Sequence, residues 1–178
     1  MVTCVAMMPE PASQTPDLPN WEEDTYYPDK TGEPGVNPIE DMSMCRMAYS
    51  SKYLFFNVEY LKSGTRSLNI YLDTDRNQAT GKSGKDGNVK LSDIGADFRI
   101  KYVNSTGMLE IWKWNSEKQQ WELVDRSPPD PEWVSQDGLE GAIGNYVMGI
   151  GIIYAAEYPS IDVIFVSSVD EKGIDCTD

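Results

Sequence analysis

The sequence predicts an all-β fold: an antiparallel β-sandwich of jelly-roll type with an extended N-terminal arm. Three observations carry this. Apolar segments of strand length recur from residue 42 onward, with turn signals between them. Several of them alternate apolar and polar residues with a period of two. No segment has the periodicity of a convincing amphipathic helix. About eight short strands without helices pack most simply as two sheets face to face. At 178 residues the chain is long enough for one sizeable core and short for two.

The chain opens with "MVTCVAMM", a β-compatible apolar run. Val2, Cys4, Ala6 and Met8 lie on one face of such a strand and Met1, Thr3, Val5 and Met7 on the other. From Pro9 to Pro38 prolines, acids and small polar residues dominate, so this stretch reads as an extended arm with little helix or sheet of its own. Residues 1–38 are therefore set apart as strand and arm, and residues 39–178 as the sandwich. Strands follow at 42–49 (MSMCRMAY), 53–61 (YLFFNVEYL) and 67–74 (SLNIYLDT). In the second, Leu54, Phe56, Val58 and Tyr60 share a face. The polar stretch 81–97 reads as a loop, and strands resume at 97–104, 108–115 and 121–125. "NSTG", residues 104 to 107, joins two of these as a hairpin turn. Two last strands are expected at 146–155 and 161–169, and "EGAIGNYVMGIG" has room for one helical turn before its glycines end it.

The charge narrows the function. With 15 basic residues against 29 acidic ones, a net charge of -14, the field repels phosphate backbones and anionic headgroups, so nucleic-acid partners are not expected. Nor is membrane insertion: no run approaches the roughly 18 to 20 apolar residues of a spanning helix. The N-terminus also has neither the basic region nor the full apolar core of a signal peptide. The count of 0 histidines removes the usual general base and the commonest transition-metal ligand. No spacing singles out a carboxylate pair for glycoside hydrolysis, and an enzyme is not expected.

"YLDTDRNQATG", residues 71 to 81, holds the densest chemistry. Asp73, Asp75 and Asn77 stand at alternate positions, as in the first half of a calcium loop. The stretch is not an EF-hand: Gln78 stands at the sixth position where glycine is required, Gly84 at the twelfth where a bidentate Glu is required, and a strand precedes it. Further oxygens would come from Thr80, the Ala79 carbonyl, Asp93 and Asp97. The competing reading is that these side chains merely shape a polar turn.

"IYLDTDRNQATG", then "IGADFRIKY", then "LEGAI" and a final strand resemble a group of secreted archaeal and bacterial β-sandwich domains. The resemblance spans residues 40 to 178 and extends to the family-9-like carbohydrate-binding modules. It implies a similar sandwich in an extracellular or cell-surface setting. It does not imply one function, because such sandwiches serve sugar binding, haem binding and surface-layer architecture. Gly144 departs from the pattern, standing where relatives tend to carry proline.

Other features are simpler. Asn104 opens an N-glycosylation sequon at the expected hairpin tip. Of 5 tryptophans, Trp112 and Trp114 fall on one strand face and are candidates for a sugar-stacking platform. The 3 cysteines, Cys4, Cys45 and Cys176, form no CxxC pair and allow one disulfide with one thiol left over. Two functions are consistent with all this. The first is a calcium-stabilised extracellular subunit that forms a homopolymer, a filament or surface layer, by donating its N-terminal strand to a neighbour. The second is a carbohydrate-binding module with a glycan partner.

Overall fold

The computed structural model describes residues 25–28, 41–49, 53–62, 67–87, 89–103, 106–127, 138–144, 162–168 and 175–176. Every regular element among them is a β-strand, and every pairing is antiparallel. In chain order these are β1 (Thr25–Pro28), β2 (Met42–Tyr49), β3 (Tyr53–Tyr60), β4 (Ser67–Asp73), β5 (Lys82–Asp86) and β6 (Val89–Ala96). They continue as β7 (Phe98–Val103), β8 (Met108–Asn115), β9 (Gln120–Ser127), β10 (Gly138–Gly144), β11 (Asp162–Ser168) and β12 (Asp175–Cys176). A four-stranded sheet has the order β1-β2-β3-β10, a six-stranded sheet the order β12-β11-β4-β7-β8-β9, and β5 and β6 form a separate hairpin.

One core lies between the two large sheets. Met42, Cys45, Phe56 and Val58 from the smaller sheet meet Leu68, Ile70, Leu72, Phe98, Ile100, Leu109, Ile111 and Phe165 from the larger. Each fully buried Leu, Ile or Phe contributes about 1.5–3 kcal/mol. Met42 and Cys45 are three residues apart and would face opposite ways in a regular strand. A register shift between Met42 and Met44 resets the pleat so that both point inward.

A second cluster covers the outer face of the larger sheet. Tyr71 and Val166 pack there with Val89, Leu91, Ile94 and Ala96 of the β5–β6 hairpin. This is why β4 is buried on both faces, reading buried continuously from Ile70 to Asp73. The hairpin lies over the end of β4 and thereby positions the candidate site.

The expected strands at 42–49 and 108–115 form over those residues, those at 53–61 and 67–74 each end one residue earlier, and those at 97–104 and 161–169 are described as Phe98–Val103 and Asp162–Ser168. That at 121–125 extends to Gln120–Ser127 because β8 offers pairing partners along its whole length. Four elements differ from expectation. The arm is not free of sheet: β1 pairs with β2, so the smaller sheet begins inside the arm at Thr25 rather than after residue 38. Residues 82–96 are a hairpin rather than a loop, turning through Gly87 at φ 61. Residues 138–144 are a strand, not a helical turn, paired with β3 out to Gly144↔Tyr53. A two-residue strand, β12, completes the other edge of the larger sheet. The expected strand at 146–155 lies outside the described residues, as does the apolar run holding Val2, Cys4, Ala6 and Met8.

Candidate metal centre

Asp73 is the last residue of β4, and its carboxylate turns to the outer face under the hairpin, 1% exposed. The loop that follows is closed by its own side chains. Asn77 N–H donates to Asp75 Oδ1 at 2.9 Å and to Asp73 Oδ1 at 3.2 Å. Asn77 Oδ1 accepts from Ala79 N–H at 3.1 Å, and Thr80 N–H donates to the Asn77 carbonyl at 3.0 Å. Arg76 takes a left-handed φ of 54 to turn the corner and reaches Asp162 of β11 at 3.4 Å.

Two glycines let this loop lie flat on β6. A Cβ at Gly81 would stand 2.0 Å from the Gly95 carbonyl oxygen, and one at Gly95 2.6 Å from that of Asn77. In return Gly95 N–H donates to Asp73 Oδ2 at 3.0 Å. Two residues on, at the bend between β6 and β7, Asp97 returns toward the loop. Its Oδ2 accepts from Thr74 N–H at 2.9 Å and Thr74 Oγ1 at 2.8 Å. Its backbone is fixed from both sides, its N–H donating to Leu72 and its carbonyl accepting from Trp114, each at 2.8 Å.

The outcome is a convergence of Asp73, Asp75 and Asp97, with one carboxylate oxygen from each within 4.8 Å of the others. Two oxygens bound to one ion at about 2.4 Å are at most about 4.8 Å apart, so the three can hold a single metal ion. The donors that hold these carboxylates are neutral amides and hydroxyls. Thr80 Oγ1 lies 2.9 and 3.1 Å from the Asp75 oxygens and 2.8 Å from the Asn77 carbonyl, yet a hydroxyl has one proton to share among the three. A surplus of oxygen acceptors is the donor set that a hard cation takes.

Burial raises the Asp97 carboxyl above its ordinary value, the Thr74 N–H and hydroxyl pull it down, and the like charges of Asp75 and Asp73 push it up again. Between the ordinary value and the raised one, the folded, metal-free protein holds more of this proton than the unfolded chain does. Its stability falls as pH rises from the ordinary aspartate value through the raised one. Melts in chelator across that window should show the fall, and Asp97→Asn should remove it. Excess divalent cation, which favours the ionised form, should remove it too.

Of the residues expected as ligands, Asp73, Asp75 and Asp97 come together and Thr80 borders them, while the Asn77 side chain is engaged in shaping the turn. Asp93 lies on β6, and its side chain is outside the described ones. Thr74, Gly81 and Gly95 were not anticipated. Asn104 and Cys4 lie outside the described residues, and the Cys176 side chain is likewise not described. The Cys45 side chain is 0% exposed, with its sulfur 3.7 Å from Met42 Sδ.

Trp112 and Trp114 do share the outer face of β8, but neither ring stands clear. Arg99 lies over Trp112 at 5.4 Å and over Trp121 at 5.1 Å, while Lys82 lies over Trp114 at 5.2 Å. Trp114 also meets Trp121 edge-on at 5.3 Å. Beneath them Asp86 Oδ2 accepts from Tyr71 Oη at 3.0 Å and from Arg99 Nη1 and Trp121 Nε1 at 3.1 Å each. Burial, with Asp86 beside it, pushes the Tyr71 hydroxyl far above its usual range and keeps it a donor. This knot ties β5 to β4, β7 and β9. Asp86→Ala would leave Arg99 without its carboxylate and is expected to cost about 2–4 kcal/mol, read from the denaturant midpoint. Asp86→Asn, which keeps an acceptor, should cost less.

No family model, curated protein or solved structure matches the chain.

Proposed function

We propose that this protein is a calcium-stabilised structural subunit of an extracellular assembly, joined to neighbouring copies by donation of its N-terminal strand. The convergence of Asp73, Asp75 and Asp97 on a loop pressed against β6 is the observation that carries the reading. Calcium fits better than magnesium, because it accepts an irregular and partly flexible oxygen set, whereas magnesium demands near-octahedral geometry and keeps much of its water. The cage joins the end of β4, the following loop and the β6–β7 bend, so an ion there would stabilise the sandwich without catalysing anything.

The assembly half rests on the sequence of the first eight residues. An apolar strand on a proline-rich arm suits strand addition to a neighbouring sheet. Burying three or four of its side chains at about 1.5–3 kcal/mol each exceeds what a transient contact needs, before the cost of ordering the arm. The carbohydrate-binding reading finds less support, since Arg99 and Lys82 lie over the two rings it needs.

Negative-stain imaging of the native protein in calcium tests the proposal, with filaments or sheets expected. Monomers that bind a glycan array through Trp112 and Trp114, and lose binding on Trp112→Ala, would favour the second reading.

A further inference from the structure

We infer that the outer edge of β9 is where the N-terminal strand of a second copy lands. This rests on the strand-donation reading and adds its acceptor. Among the described residues β9 pairs with β8 on one side and with nothing on the other. The direction of its outer backbone groups follows from the ladder. Trp114 N–H points to the β7 side of β8, donating to the Asp97 carbonyl. At the Trp114↔Trp121 pair the two strands' backbone groups therefore point away from each other. Trp121 and, two residues later, Leu123 accordingly turn their N–H and C=O groups outward.

The side chains beside that free ladder are apolar. Leu123 is 43% exposed and Val124 42% exposed. They straddle the register shift of β9 opposite Ile111/Trp112, where the strand leaves its regular pleat. An edge with unpaired backbone groups and exposed apolar side chains is what an added strand covers.

The occupant that fits is residues 1–8 of another copy. β9 is 8 residues long, and "MVTCVAMM" matches that length, carries no charged side chain and has apolar residues on both faces. Residues 9 to 24, extended at about 3.3 Å each, reach roughly 50 Å. That is enough to leave β1, on the edge of the smaller sheet, and cross to a neighbouring molecule.

Two full-length variants test this. Leu123→Pro removes an outward N–H without touching the β8 ladder, so it should fold, donate its arm and accept none. Val2→Asp with Ala6→Asp should accept an arm and donate none. Each alone should be monomeric by light scattering in calcium, and an equimolar mixture should double in mass to a heterodimer. Should Leu123→Pro melt below wild type, Leu123→Lys with Val124→Lys replaces it. A mixture that stays monomeric, or a Leu123→Pro protein that assembles as wild type does, overturns the β9 assignment. The strand-donation reading itself falls if the arm variant assembles normally, or if wild type is monomeric because the arm lies on its own sheet.

Discussion

Gly81→Ala is expected to destabilise the protein by about 3 kcal/mol and, on the calcium proposal, to abolish stabilisation by calcium. The added methyl would stand 2.0 Å from the Gly95 carbonyl oxygen and 2.3 Å from its carbon, and both are backbone atoms of a paired strand. They cannot swing aside as the end of a flexible side chain can. The loop must lift instead, carrying Asp75 and Thr80 away from Asp73 and Asp97. Gly95→Ala should behave alike, because its Cβ would meet the Asn77 carbonyl oxygen at 2.6 Å and Gln78 Cα at 2.7 Å. Gly84→Ala supplies the contrast: its φ of +76 makes alanine cost about 1 kcal/mol, but nothing lies within 4 Å and the calcium response should survive. Denaturant midpoints with and without calcium measure all three.

On the strand-donation proposal, deleting residues 1 to 8 is expected to give a folded monomer that no longer polymerises and melts below the assembled full chain, because an added strand stabilises the folded acceptor by mass action. The core residues begin at Met42, and β1 begins at Thr25, so the deletion removes none of the described packing. A synthetic peptide of the deleted residues should bind the truncated protein. Assembly of the truncated protein to the extent of the full chain would return the function to carbohydrate binding, testable on a glycan array.

Strands whose apolar residues alternate were legible, as in Phe56, Val58 and Tyr60 or in Leu109 and Ile111. The β5–β6 hairpin was hidden because β5, "KSGKD", has no apolar face to show. Its signal was Asp86-Gly87, a strong hairpin dipeptide, followed by Val89 and Leu91 in alternation. β1 was hidden for a related reason. Four residues ending in proline look like an arm, and only the edge of β2 makes them a strand.

Of the site, the alternate spacing exposed Asp73 and Asp75, and Asp97 was named only as one of the later carboxylates that could add oxygens. The reason is spatial: Gly95 and Gly81 are where two backbones touch, and that contact joins residues distant in sequence. At Asn77 a turn and a cation both call for oxygen, and its side chain accepts from Ala79 N–H within the turn. Nothing in spacing announces the knot of Tyr71, Asp86, Arg99 and Trp121, which four different strands assemble.

The proposed binding of calcium by Asp73, Asp75 and Asp97 is tested most directly by thermal unfolding of protein first stripped of metal, titrated with calcium. The melting temperature should rise, each tenfold increase in free calcium well above the dissociation constant adding about 1.4 kcal/mol. Asp75→Ala, whose carboxylate is exposed on the loop and buries nothing, should fold and show no such rise. Identical melting of stripped wild-type protein with calcium and with chelator would contradict the site.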